Sequence, residues 1–253
     1  MPERLILLTN DDGLWAPGLT ALTRAATPFG RVVVVAPDRN RSAISSALSL
    51  HNILRLHETG PDRYACDGTP VDCVLLGVCE VLGRRPDWVL SGVNFGFNLG
   101  EDVFYSGTVG AAFEGRLQGA RAAAFSCHPE GSLDGAEPWI TRFLERWERM
   151  DLPDNRIWNV NFPKGEPRGF RLTGQDNRDY HDLVERRLDP RGKPYYWIGG
   201  DAGPTYARAT GSDAEAVFNG FASVTPLRLD LGCPETLARQ QDFDAAFNGE
   251  PSR

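Results

Sequence analysis

Two short aliphatic runs with a helix-patterned segment between them constrain this chain more than any other feature. Leu5–Leu8 and Val32–Ala36 are its longest aliphatic stretches. Read as strands over Arg4–Thr9 and Arg31–Ala36, they lack a polar face, as a strand covered on both sides requires. Pro17–Ala26, between them, has helical spacing. Strand, helix and strand within about 35 residues form a βαβ unit, with parallel strands and a right-handed crossover. The alternation continues. Val71, Val74, Leu75, Val78 and Val81 predict a helix over Pro70–Leu82, followed by a strand at Asp87–Leu90. A helix at Thr108–Gln118, a strand at Ala122–Phe125 and a helix at Trp139–Met150 extend it. The expected class is α/β, a Rossmann-like and mostly parallel sheet flanked by helices.

Two segments depart from that rhythm. His51–Leu56 and Arg63–Cys66 read as a β excursion around the turn Glu58–Asp62. From Arg156 the texture changes to short strand-like pieces, Ile157–Phe162, Gly169–Thr173 and Tyr195–Ile198, separated by Pro and Gly. Asp176–Lys193, dense in Asp and Arg, reads as an exposed arm or hairpin that reaches a partner subunit. Asp213–Phe221 returns to helix, Val224-Thr225 to strand, and Pro234–Phe247 reads as a polar terminal helix. The expectation is one domain over 1–253, with a core over 1–150, a β-rich extension and return over 156–230, and a C-terminal helix and tail over 234–253.

Charge and cysteine content narrow the function. The 253 residues carry 27 basic and 34 acidic side chains, a net −7, so counterion release offers no affinity for a nucleic acid polymer. A small anionic substrate would need a metal or a nest of amides to offset that field. No apolar run approaches the roughly 18 residues of a membrane-spanning helix, and Met1–Arg4 does not read as a secretion signal. Five cysteines without a CxxC point to reduced thiols and a cytoplasmic protein.

In an open parallel sheet, ligands bind beyond the carboxyl ends of the strands. The segments there are Asn10-Asp11-Asp12-Gly13, Asp38-Arg39-Asn40-Arg41-Ser42 and Ser91-Gly92-Val93-Asn94. Their oxygen donors suit a hard divalent cation, Mg²⁺ or Mn²⁺, rather than zinc. Each also has an ordinary reading, as a helix start, a solvated loop and a turn. A turn needs one Asp, however, and two adjacent carboxylates repel unless a cation sits between them.

Ser91–Gly115 holds six glycines, two asparagines, two serines and a threonine, and runs into the helix expected at Thr108. Free N–H groups around Ser106-Gly107-Thr108 at that helix start suit a phosphate. A capped glycine-rich connection is the plainer alternative. Neither GxGxxG after the first strand nor GxxxxGK[ST] occurs. No GxSxG elbow is present, and His51, His57, His128 and His181 form no triad or metal pattern. His128 follows a strand and could approach the same edge, but reads as a turn residue. Cys66, Cys73 and Cys79 read as small core residues. Water, activated by a metal, is the simplest attacking group.

These motifs resemble the SurE survival-protein family of metal-dependent 5′/3′-nucleotidases. The resemblance runs through Leu7–Gly13, Ala36–Ser42, Gly68–Val74 and Ser91–Val109, and extends weakly to Asp213 and Ser223–Leu227. It implies a divalent metal ion, one per subunit, held by Asp11, Asp12, Ser42 and Asn94, and a phosphate pocket lined by Asn98, Ser106, Gly107 and Thr108. It further implies hydrolysis of nucleoside monophosphates, with Asp11, Asp12 and Asn98 as the catalytic set and short polyphosphate a further possible substrate. The C-terminal arm would exchange in a homodimer or homotetramer. Between the two carboxylates, Asp11 is favoured to orient the attacking water. Ala43 replaces the glycine usual in the family after Ser42, and Ala47 alters the serine-rich loop that follows. A left-handed residue required there would bend this loop differently. A nucleotide or anion sensor without catalysis is the alternative on the same fold, and a sugar-nucleotide transferase a more distant one.

Overall fold

Buried Leu and Val on both faces of the first strand fix the layering. In the computed structural model, which describes residues 3–150, 155–179, 184–198 and 205–248, β1 (Leu5–Thr9) is buried at every position. Its side chains alternate between two cores, as a strand's period of two dictates. Ile6 and Leu8 join one with Leu19, Leu22, Ile140 and Leu144, while Leu5 and Leu7 join another with Val74, Val109 and Ala112. Helices α1 (Pro17–Ala26) and α4 (Leu133–Glu148) therefore cover one face of the sheet. Helices α2 (Pro70–Leu76) and α3 (Gly107–Leu117) cover the other.

The main sheet has nine strands. Besides β1 these are β2 (Arg31–Pro37), β3 (Leu56–Gly60), β4 (Arg63–Cys66), β5 (Trp88–Phe95), β6 (Arg121–Cys127), β7 (Arg156–Phe162), β8 (Phe170–Leu172) and β13 (Ala222–Arg228). Their order is β3-β4-β2-β1-β5-β6-β7-β13-β8, with β3 at one edge and β13 and β8 at the other running antiparallel to the rest. The chain leaves β1 toward β2 on one side and returns to β5 on the other. That reversal is the switch point where a doubly wound sheet opens a crevice.

Several boundaries differ from the sequence reading. The excursion hairpin is Leu56–Gly60 against Arg63–Cys66, not His51–Leu56, because Pro61-Asp62 closes a two-residue turn with Asp62 at φ 54°. Ser91–Asn94 is not a loop. Strand β5 runs on through it, since Asn94 and Phe95 keep pairing with Ser126 and Cys127 after a bulge. Such pairing overrides the poor strand propensity of Ser, Gly and Asn. Helix α2 widens into a π turn over Gly77–Leu82. Cys66 and Cys73 are buried, but Cys79 is exposed: six residues beyond Cys73 is about 240° around the helix. The terminal helix is two pieces, α6 (Pro234–Leu237) and α7 (Gln240–Asn248).

The polar arm contains a hairpin, β10 (Val184–Leu188) with β11 (Pro194–Ile198), and a short pair, β9 (Arg178–Asp179) with β12 (Thr205–Tyr206). Asp189 closes the hairpin turn by accepting the Arg191 and Lys193 N–H groups at 2.9 and 2.8 Å. Helix α5 (Asp213–Phe218) packs Ala214 and Val217 against Leu99. His181 lies outside the described residues. No described helix is long and apolar enough to cross a membrane.

Candidate active site

The crevice is built by the segments that leave β1, β2 and β5. After β1, Asn10 shapes the turn by donating to the Gly13 carbonyl at 3.0 Å and accepting the Gly13 N–H at 3.2 Å. Gly13 has φ +103° and a Cβ there would lie 3.1 Å from the Arg39 backbone, so a side chain would be both strained and crowded. The turn thus locks the β1 loop against the β2 loop. Arg41 completes the lock, its N–H donating to the Asp11 carbonyl at 2.7 Å.

Asp11 is only 4 % exposed, and the Thr108 hydroxyl donates to its Oδ1 at 2.5 Å. Burial raises its pKa, and the Thr108 bond draws it partly back. Gly107 lies against it. A Cβ there would be 3.0 Å from the Asp11 Cβ and 3.2 Å from its Oδ2, so the helix start approaches the carboxylate only because the side chain is absent. Asp12 is less buried, with its carboxyl pushed up to about 6 by desolvation and by the Asp11 charge, against a weak pull from the Phe95 backbone N–H. Its Oδ1 accepts from Asn40 at 3.4 Å, while its Oδ2 is buried with no hydrogen-bond partner.

Ser42 is exposed on the β2 loop, its N–H donating to the Asn40 Oδ1 at 2.8 Å. Asn40 therefore ties the Ser42 loop to Asp12, a role sequence reading did not assign. Ala43 and Ser45 adopt left-handed φ of 58° each. The loop therefore does not avoid that conformation after Ser42, as the Ala43 replacement suggested; the alanine adopts it. Asn94, at the end of β5, donates from Nδ2 to the Gly96 carbonyl at 2.8 Å, which leaves its Oδ1 as an oxygen donor. Cys127 beside it has a thiol pushed up to about 12 by burial and the Asp12 charge, which disfavours the thiolate.

Two adjacent carboxylates with an unpartnered buried oxygen, an amide oxygen and a hydroxyl fit a hard cation. Among the described residues no three His, Cys, Asp or Glu side chains converge into a metal cluster.

The phosphate-side residues divide. Ser106 is the N-cap of α3, its hydroxyl accepting the Val109 N–H at 3.0 Å. Thr108 turns its hydroxyl onto Asp11 rather than toward open space, so its side chain positions a carboxylate. Asn98 lies in the segment after β5, buried, its Nδ2 donating to the Ser126 Oγ at 2.7 Å. Asn159 and Asn161 on β7 hold its backbone, and neither was marked out by the sequence reading. The available signal was asparagine at alternate positions of a strand whose other face, Trp158, Val160 and Phe162, is apolar. His128 does not join the acid pair; its Nδ1 accepts the Glu130 N–H at 3.0 Å and its ring packs edge-on against Phe97.

The sheet order and this crevice define an α/β protein of Rossmann type with an oxygen-rich, acidic site at its switch point. The sequence model described as "Survival protein SurE" matches residues 6–182. A protein from Syntrophotalea carbinolica named "5'-nucleotidase SurE" is 48 % identical over 234 residues, covering 90 % of this chain and 92 % of that protein. One of the same name from an Anaeromyxobacter species is 49 % identical over 229 residues, covering 89 % and 90 %. The crystal structure of the SurE protein from Aquifex aeolicus superposes with a TM-score of 0.82 at 38 % identity, covering 95 % of this chain and 99 % of that one. The chain belongs to the SurE family.

Proposed function

We propose that this chain is a 5′-nucleotidase, a metal-dependent phosphomonoesterase that hydrolyses nucleoside monophosphates to nucleoside and phosphate. The observation that carries this is the Asp11-Asp12 pair at the switch point, with the Asp12 Oδ2 buried and unpartnered. The names of the relatives point the same way. Family membership implies a divalent metal cofactor, and we assign one Mg²⁺ or Mn²⁺ per subunit to Asp11, Asp12, Ser42 and Asn94. When bound, that ion supplies positive charge that offsets the phosphate's own.

The chain's groups then divide the work. Thr108 holds Asp11 rigid by occupying its Oδ1. Asp12, whose Oδ1 accepts from Asn40 at 3.4 Å, orients the attacking water through that oxygen, a role the sequence reading gave to Asp11. The Asn98 amide and the backbone N–H groups at Ser106–Thr108, at the start of α3, bind phosphoryl oxygens, which a helix N-terminus favours. The substrate is a small nucleotide, and the exposed hairpin β10–β11 assembles the chain into a homodimer or homotetramer in the cytoplasm.

The test is phosphate release from nucleoside 5′-monophosphates with Mg²⁺, Mn²⁺ or EDTA, with 3′-nucleotides and tripolyphosphate defining the range. Release that needs the metal and falls by about a thousandfold in Asp11→Asn is expected. Release that survives EDTA and the substitution overturns the reading.

A further inference from the structure

Beneath the site the sheet carries a rung of polar residues where an apolar layer would otherwise continue. Asn94 on β5, Ser126 on β6, Asn161 on β7 and Ser223 on β13 are successive partners in the ladder. Ser126, Asn161 and Ser223 are fully buried, and Asn159, one pleat earlier on the same face as Asn161, is buried too. Buried polar side chains weaken a core unless they are hydrogen-bonded, so a row of them calls for a reason.

The hydrogen bonds of Ser126, Asn159 and Asn161 converge on one residue, while Asn94 bonds the Gly96 carbonyl and the Ser223 Oγ and Asn159 Oδ1 have no hydrogen-bond partner. Asn98 donates its backbone N–H to the Asn161 Oδ1 at 2.9 Å. Its carbonyl accepts from the Asn159 Nδ2 at 2.7 Å and the Asn161 Nδ2 at 3.1 Å. Its side-chain Nδ2 donates to the Ser126 Oγ at 2.7 Å. Main chain and side chain are thus both fixed, although Asn98 lies in a connection rather than in a strand or helix. An amide nitrogen carries two hydrogens; Ser126 takes one, which sets the amide plane and leaves the other for a substrate oxygen. A serine hydroxyl both donates and accepts, so the lock holds for either orientation of the amide.

We infer that Ser126, Asn159 and Asn161 are positioning residues that set the Asn98 amide for the phosphoryl group. This rests on the reading of Asn98 as a phosphate-binding group. Nothing in the trio contacts substrate; each acts through Asn98, in the way supporting hydrogen bonds hold a reacting group within a fraction of an ångström of its productive place.

The test is a double-mutant cycle between Ser126→Ala and Asn98→Ala, with Ser126→Thr as the conservative variant and adenosine 5′-monophosphate as substrate. Ser126→Ala is expected to lower kcat/KM on the order of 10- to 100-fold in the wild-type chain. With Asn98 already Ala it should have almost no further effect, and Ser126→Thr should restore most of the loss. Asn161→Ala should show the same dependence on Asn98. An equal loss in both backgrounds, or no loss in either, overturns the inference. Calorimetric binding of inorganic phosphate to the same variants separates this result from that of the proposed function. If the wild-type chain releases no phosphate from any nucleotide, that reading fails. The positioning role still stands if Ser126→Ala weakens phosphate binding only when Asn98 is present, and it fails if binding is unchanged or absent throughout.

Discussion

At the carboxyl edge of the sheet Asp11, Asn98, Thr108 and Ser126 are polar groups held inside, whereas in the β10–β11 hairpin Tyr196, Trp197 and Ile198 are apolar groups held outside. Asp11 is 4 % exposed and Ile198 is 84 % exposed. Both regions depart from the usual partition, in opposite senses. An unpaired buried polar group costs about 1–3 kcal/mol, and exposed apolar surface forfeits about 25 cal/mol per Å². Under the proposed function the edge would take a small charged group and the hairpin a second copy of the chain.

The comparison can be tested from either end. The largest effect is expected at the edge: Thr108→Val keeps the shape but removes the bond to Asp11, and should weaken Mn²⁺ binding roughly 10- to 100-fold by calorimetry. Unchanged affinity would mean that Thr108 serves only the helix. At the hairpin, Trp197→Glu with Ile198→Glu should cut the particle mass in light scattering to about half or less, with hydrolysis retained. An unaltered mass would leave those aromatics without the role the comparison gives them.

Protonation gives a third, smaller effect. With Asp12 pushed up to about 6, a proton competes for the carboxylate, so metal affinity should fall about tenfold for each pH unit below that value. The folded chain binds this proton more tightly than the unfolded one. Without metal, stability should therefore decline as pH rises from 3.8 to about 6 and stay level above, as far as Asp12 governs it. Thermal melts in EDTA at pH 5 and 7 read that sign, and Mn²⁺ should reverse it. The smallest effect belongs to the loop between edge and surface. Ala43→Gly relieves a left-handed alanine at φ 58° and should raise stability by about 0.5–1 kcal/mol, near 2 °C in Tm.

The residues that were easiest to read were those whose pattern is local. Leu5–Leu8 and Val32–Ala36 announced strands buried on both faces, and Pro17–Ala26 announced the helix between them, because periodicity and the first-turn proline act within a few residues. The adjacent carboxylates Asp11 and Asp12 after the first strand also stood out. Ser91–Asn94 was harder. Its composition favours a turn, and pairing with β1 and β6 holds it in a strand. A helix start suggests N–H groups for a phosphate at Thr108, but not that its hydroxyl goes to Asp11, 97 residues away in sequence.

By itself, then, the sequence determined the layered α/β architecture and the oxygen-rich character of the segments at the carboxyl ends of its first strands. These follow from side-chain period, strand ends and residue type. Only the tertiary structure decided which carboxylate oxygen is left without a partner, where Thr108 points and how Asn98 is held from β6 and β7. Those outcomes depend on contacts between residues distant along the chain, set by strand order and register, and composition and spacing carry no record of which side chains such contacts bring together.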